Sequence, residues 1–404
     1  MAALFGALAF WPNAAHGLGV GIPNQDSEAI ARGNAFAATA DNPSAIFYNP
    51  AGITQLPGQD IQIGMLDYLG INAHYISPTG TTANSKFHIL PIPEIYYTIS
   101  PQDFPLSFGL GVYAPFGLAT EWPDNSAFRS LAITAKLQYI TLNPVVAWKI
   151  TPTLSLAAGP TFNYSTIEDA RGLGIGPADF FEFKGSGISY GATAGLLWQP
   201  RTQWSIGANY RSPSTMSYSG HSSYNPEPGV TPTNSSHTTA DFNFPQVISG
   251  GVSFRPTPKW NIEADVNWTD WQTLKTVTLN GTKNNPYFAS IGNLALAFDW
   301  HGSWFYELGA TRYFDNGWFA SAGFFFSSET TSSQDFSPAV PDTDLYIGSV
   351  GFGHKGEHWH WALATQIIAG PARILDNSQP SQVPANGSYQ LFVPTVSVSA
   401  GYHF

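Results

Sequence analysis

The chain has 404 residues, of which 43% are hydrophobic and only 11% charged, with a net charge of −11 and a mean hydropathy of −0.08. That is too polar on average for a bundle of membrane helices and poorer in charge than ordinary soluble domains. No cysteine occurs, which excludes disulfides, thiolate metal sites and cysteine nucleophiles, and suits a chain exported unfolded through an oxidising compartment.

Residues 1–15 read as an export signal. Ala2 to Trp11 is a short apolar run, and Asn13-Ala14-Ala15 offers small residues for cleavage before His16. The run is too short to span as a helix. No Lys or Arg precedes it, so the alternative of a buried segment of the mature protein stays open.

Residues 16–57 differ in kind. Gly17, Gly19, Gly21, Gly33 and Gly52 punctuate them, Ser27 to Thr39 has short helical promise, and Asn42-Pro43 and Asn49-Pro50 form turns. Nothing here alternates long enough to be a barrel strand. A compact irregular piece before the first strand is expected inside the barrel, as a hatch plugging the lumen.

From residue 58 to 404 the pattern changes to strict alternation, and no linker divides it. Trp204, Ile206, Ala208 and Tyr210 alternate with polar residues, and Trp260, Ile262, Ala264, Val266 and Trp268 alternate with Asn261, Glu263, Asp265, Asn267 and Thr269. Lipid outside and a wet lumen inside explain both faces, with Glu263 and Asp265 expected to be solvated there. The final strand puts Phe392, Val396, Val398, Ala400, Tyr402 and Phe404 on one parity and Thr395, Ser397 and Ser399 on the other. Its terminal Phe404 resembles the aromatic by which outer-membrane barrels of Gram-negative bacteria are recognised for assembly.

Tight breaks fall at Pro101 to Pro105, Thr151 to Thr153, Pro200 to Gln203, Arg255 to Lys259, Asp315 to Gly317 and Lys355 to Glu357. They recur roughly every fifty residues, the length of two strands and a long loop. The longer polar stretches between them, such as Gly220 to Thr239 and Thr330 to Asp342, read as extracellular loops. Six turns and the C-terminus close seven hairpins. The fold class is therefore all-β: a transmembrane antiparallel β-barrel of about 14 strands. Trp148, Trp198, Trp204, Trp260, Trp318, Trp359 and Trp361 lie near the tight turns, as an aromatic girdle should.

Several segments together resemble one family. Ala31-Arg32-Gly33-Asn34-Ala35-Phe36 and the run from Ala40 through Asn49-Pro50-Ala51-Gly52 look like the N-terminal hatch of the FadL/TodX outer-membrane transporters for long-chain fatty acids and hydrocarbons. Tyr113 to Leu118 resembles the family's Pro-Phe-Gly segment, Leu142 to Ala147 its Asn-Pro strand, Trp268-Thr269-Asp270-Trp271 its Trp-x-x-Trp pair, and Pro341-Asp342-Thr343-Asp344 its Pro-Asp-x-Asp loop. The resemblance implies a third strand kinked beside the Asn-Pro-Ala turn to give a lateral exit, and basic residues meeting the head group in fatty-acid members.

A hydrophobic molecule cannot usefully cross the polar outer leaflet through a water-filled pore; it needs an apolar landing groove, a buried pocket and an exit that avoids bulk water. Phe116, Leu118, Trp122 and Phe128 are candidates for the groove, and Arg129, Lys136 and Arg171 for a head group, although a solvated loop or lumen charge fits these three better. Gly109, Gly111 and Pro115 interrupt the third strand, taken as Pro105 to Phe116, where a gap in the wall can open against Asn49, Pro50, Ala51 and Gly52. The same glycines also suit a wall fitted closely to its plug. The expected partners are a hydrophobic small molecule, outer-membrane lipid and lipopolysaccharide, and the barrel-assembly machinery. No cofactor, metal or nucleic acid is expected, the chain is taken as a monomer, and a general porin, a lipase-like barrel and a structural barrel are its rivals. Gly187-Ile188-Ser189-Tyr190-Gly191 imitates a nucleophile elbow but lies in a strand. His354, His358 and His360 read as polar tips of the girdle.

Overall fold

Alternation of apolar and polar side chains closes one antiparallel sheet on itself. The structure, a computed structural model, describes residues 18–69, 72–174, 179–225, 234–284, 288–289, 292–378 and 385–404; the expected export segment, residues 1–15, lies outside them. The wall has 14 strands. They are β1 (Gly58–Leu69), β2 (Ile89–Ser100), β3 (Leu106–Tyr113), β4 (Thr134–Thr151), β5 (Leu154–Arg171), β6 (Phe180–Arg201) and β7 (Trp204–Arg211), then β8 (Val247–Thr257), β9 (Trp260–Thr269), β10 (Ser303–Tyr313), β11 (Trp318–Ser327), β12 (Leu345–Lys355), β13 (Trp359–Ala369) and β14 (Gly387–His403). Pairing of β1 with β14, from Asp60 opposite His403 to Tyr68 opposite Thr395, closes the ring and leaves no free edge there.

Every expected tight break is a turn between two of these strands. Parity also behaves as the period of two requires. In β14, Val396 and Val398 point outward, as does Phe404 just past it, while Thr395 and Ser397 are fully buried on the lumen side. Trp148, Trp198, Trp204, Trp260, Trp318 and Trp359 are outward at the turn end. One expectation changes: Gly220 to Thr239 is not simply a loop. Ser214–Asn225 and Asn234–Phe244 pair as a hairpin through most of it, with Met216, Tyr218, Ala240, Phe242 and Phe244 buried in an apolar cluster and Ser and Thr alternating with them. Thr330 to Asp342 carries no strand.

Ahead of β1 the chain forms the plug. A short helix α1 (Ser27–Ala31) starts on Asp26, whose carboxylate accepts from the Ala29 N–H; α2 (Ala45–Tyr48) follows, then a 3-10 turn at Pro50–Gln55. Both asparagines before proline act as foreseen by their chemistry: Asn42 accepts from the Ser44 N–H at 2.9 Å and Asn49 from the Ala51 N–H at 3.2 Å. Phe36 and Ile46 are fully buried between plug and wall, each contributing about 2 kcal/mol by leaving water.

Two carboxylates of β9 hang the plug on the wall, so Glu263 and Asp265 are not solvated lumen charges. Asp265 accepts from the N–H groups of Phe36 and Ala37, both at 2.8 Å, and Glu263 from those of Ala38 and Thr39 at 2.7 and 3.2 Å. Arg32, also fully buried, sits 3.7 Å from Glu263. Opposite them, Ser27 meets Ser397 at 2.8 Å and Asn24 donates to Gln366 at 2.8 Å.

Candidate functional site

Between β2 and β3 the wall is interrupted beside the plug. β1 pairs β2 along its whole length, from Gly58 opposite Ser100 to Leu69 opposite Ile89, but β3 pairs only Ile95 through Ile99. Ile89 to Glu94 therefore have no β3 partner among the described residues. Pro91 and Pro93, of like parity, withhold two donors from the same edge; the β1 ladder passes both without a register shift, which puts the donor-less edge on the open side. Beyond Tyr113 the chain leaves the sheet and rejoins β4 only at Gly117–Glu121.

Plug backbone fills this break. Gly21 bridges Phe116, the Ile22 N–H donates to the Pro115 carbonyl at 2.8 Å, and the Gly117 N–H donates to the Val20 carbonyl at 2.9 Å. Gln25 imitates a peptide unit: its amide donates to the Ala114 carbonyl at 2.8 Å and accepts from the Ala114 N–H at 3.1 Å. Those backbone groups would otherwise be orphaned by the missing strand.

Behind the break lies an inner cavity between plug and wall, lined among others by Phe47, Pro115, Phe116, Trp271, Phe305 and Arg211. The Arg211 guanidinium lies 3.7 Å from the Phe47 ring centre and donates to the Phe47 carbonyl at 3.1 Å. On the extracellular side a larger and mostly apolar groove runs over Val20, Leu118, Phe242, Leu279, Trp300 and Val340.

The residues singled out from sequence are distributed unevenly over these features. Phe116 and Pro115 line the inner cavity; Leu118, Lys136 and Arg171 line the outer groove. Trp122 and Phe128 line neither. They are buried in a separate cap, ring to ring at 4.9 Å, where the Trp122 indole donates to the Pro338 carbonyl at 2.9 Å and so fastens the loop that brings Val340 to the groove. Arg129 is paired with Asp179 at 2.5 Å, Arg171 with Asp169 at 2.8 Å and Lys136 with Glu121 at 3.8 Å. Gly109 and Gly111 stay in register with both neighbours, and a Cβ at either would stand 2.9 Å from Ile46; their bareness seats the plug, while the chain departs at Ala114 to Phe116. Asn49 reaches across to β6 rather than β3, donating to the Leu196 carbonyl at 2.9 Å, with Pro50 against Gly195. Ala51 is fully buried, and Gly52 packs on Ala40 within the plug. His360 meets Asp60 at 2.9 Å, and His354 and His358 bond backbone carbonyls.

Sequence reasoning passed over Gln25 and Trp300, gave Trp271 no role beyond its motif, and gave Glu263 and Asp265 the wrong surroundings. The carboxylates carried a signal, since two charges facing a plugged lumen require donors, and Phe36 to Thr39 has free N–H groups to offer. Outside the membrane, the groove loop rests on Asp342, which accepts from Thr330 and Thr331; burial pushes its carboxyl up to about 6, and burial likewise raises Glu329, beside Arg373, to about 7.

Comparison with known proteins agrees with this architecture. Residues 9–388 match the family model described as outer membrane protein transport protein (OMPP1/FadL/TodX). The chain is 22% identical over 351 residues to the long-chain fatty acid transport protein of Salmonella typhi, covering 78% of each. Its fold is shared with a Pseudomonas aeruginosa FadL homologue (TM-score 0.80, 19% identity, 96% of this chain and 100% of that one). It is shared too with the Pseudomonas putida toluene transporter TodX (TM-score 0.73, 14% identity, 95% and 99%). An outer-membrane barrel of 14 strands with its lumen plugged, matched by that model over nearly all its length, belongs to the OMPP1/FadL/TodX family of transport proteins rather than to a family of enzymes.

Proposed function

We propose that the chain passively takes up a hydrophobic small molecule, a long-chain fatty acid or a hydrocarbon, which lands in the extracellular groove, moves to the inner cavity and leaves sideways through the break between β2 and β3. The relatives' names, one a fatty acid transporter and one a toluene transporter, supply the ligand class. The observation that carries the reading is the wall break sealed by plug backbone directly beside the inner cavity. A seal of two backbone hydrogen bonds and two more from one side-chain amide is cheap to open, at about 1 kcal/mol net for each, while a covalent or fully paired wall is not. A molecule leaving there enters the bilayer without meeting water.

Lys136 and Arg171 stand at the groove beside Glu168 and Asp169, and Arg211 at the inner cavity beside Asp265 and Glu307, so each site offers a cation for a carboxylate head among carboxylates of its own and does not require a charged ligand. Mass spectrometry of what co-purifies with the detergent-solubilised protein tests the reading. A bound acyl chain or hydrocarbon, together with low ion conductance in planar bilayers, is the expected result; an empty barrel with steady conductance is that of a general porin.

A further inference from the structure

The outer groove and the inner cavity have no lining residue in common, yet they are separated by a layer one residue thick. Val20 faces the groove and Gly21 the cavity; Leu118 faces the groove and Phe116 the cavity; Trp300 faces the groove and Trp271 the cavity. The two indoles meet edge to face at 5.0 Å, and Trp271 meets Phe116 at 5.8 Å. Both tryptophans are buried.

Local backbone fixes the pair. Leu274 donates its N–H to the Trp271 carbonyl at 2.9 Å and accepts from the Trp300 N–H at 3.2 Å, so the two rings stand at the feet of the small hairpin Thr276–Leu279 and Leu294–Ala297. Lys275 and Asp299 clasp the same feet at 2.7 Å. The first tryptophan of the Trp-x-x-Trp motif, Trp268, pairs with Trp304 on the wall, whereas Trp271, just past the strand end, turns into the lumen.

The plug rests on these rings. Gly19 has φ of +56°, and a Cβ there would lie 2.9 Å from Trp300 and 3.0 Å from Trp271, so only glycine lets the chain cross both indoles at this angle. In addition, Trp271 Nε1 is buried with no hydrogen-bond acceptor. An indole left unsatisfied in this way is held by packing alone, and loses no hydrogen bond when it swings.

We infer that Trp271 and Trp300, with Gly19 laid across them, form the size-selective barrier between groove and cavity, opened when the Val20–Gly21 segment lifts from Phe116 and Gly117. An aperture bounded by two indole edges admits a single chain or a single ring end-on and holds back fused-ring molecules. The inference rests on the uptake reading above and adds the residues that set the cross-section of what passes.

Uptake by cells carrying the whole protein is measured for a radiolabelled straight-chain alkane and for pyrene, together with binding of each to the detergent-solubilised protein. The unaltered protein takes up the alkane and excludes pyrene. Trp300→Ala, which touches the groove side only, raises pyrene uptake relative to alkane by roughly tenfold or more, the scale on which an apolar site discriminates size. Trp300→Phe, which keeps a ring and guards against an assembly failure of the alanine variant, raises it less. Gly19→Val lowers uptake of both while leaving binding to the groove. An unchanged pyrene-to-alkane ratio in both Trp300 variants, with alkane uptake intact, overturns the barrier and leaves the transport reading standing. Absence of uptake of both the alkane and a radiolabelled long-chain fatty acid by the unaltered protein overturns the transport reading instead.

Discussion

Strand β9 holds its neighbours by backbone ladders, continuous to β10 and broken to β8 only by a bulge at the turn end, whereas the plug residues Phe36 to Thr39 that lie against it hang from its side chains, chiefly Glu263 and Asp265. The wall repeats one inexpensive contact many times, so losing one matters little. The plug depends on a few long-range contacts, each of which carries much of its attachment. A transporter of this shape can therefore have a permanent wall and a removable stopper built from the same chain, and the two should respond differently to the same class of change.

Deleting residues 18–49 is the bluntest way to separate them. The barrel, whose pairing does not include that segment, should still assemble and show heat-modifiable migration, while single-channel conductance rises by roughly an order of magnitude because a lumen of this strand number is wide enough for water. Conductance staying at the level of the intact protein contradicts the plug.

Glu263→Ala is next in size. It strips the acceptor from Ala38 and Thr39 and leaves Arg32 buried without its ion pair, a loss of about 3–5 kcal/mol that should fall on the plug alone. Hydrogen exchange at Phe36 to Thr39 should quicken while amides of β8 and β10 keep their protection; equal quickening in both places means that plug and wall are one cooperative unit.

Two glycine substitutions sharpen the contrast further. A Cβ at Gly207 would meet the Ala37 carbonyl oxygen at 1.9 Å, so Gly207→Ala should displace the plug at a cost of about 1–3 kcal/mol. Gly348, on the outward face of β12, has nothing within 4 Å, and Gly348→Ala should change barrel stability by less than about 0.5 kcal/mol. Proteolytic nicking of the plug in detergent should separate the two variants.

The smallest effect concerns pH and the groove. Because burial raises the Asp342 carboxyl from 3.8 to about 6, its protonated form favours the folded loop: the gain is complete below pH 3.8 and is lost as pH rises through about 6. Amides of Thr330 and Thr331 should exchange more slowly at pH 5 than at pH 7.5, after correction for intrinsic rates, and Asp342→Asn should abolish the difference.

Most of the wall could be read from the chain because a period of two is sampled at every residue, and an error at one position is outvoted by its neighbours. Tight turns were equally legible, each marked by Pro, Asp, Asn, Thr or Gly between two alternating runs. The plug was legible as an interruption of that pattern but not in its attachments, since Asp265 and Phe36 are 229 residues apart and no local spacing links them. Trp122 and Phe128 illustrate the limit on sites. Apolar residues in a polar loop imply cover of some kind, but whether ligand or the neighbouring cap supplies it depends on Phe336 and Tyr389, far along the chain. Gly109 and Gly111 illustrate another, for a missing side chain looks the same in sequence whether the wall parts there or a plug presses against it.

The exit is tested most directly by tying the plug to the wall at the break. Gly21 and Phe116 are bridge partners, at a spacing suited to a disulfide, and the chain has no other cysteine to compete with an engineered pair. In Gly21→Cys with Phe116→Cys, oxidation should stop uptake of a radiolabelled long-chain fatty acid or alkane while binding to the outer groove continues, and reduction should restore uptake in the same cells. Equal uptake by the oxidised and reduced forms, with the disulfide shown to be complete, would mean that the molecule crosses without the plug leaving β3 and that the break is not its door.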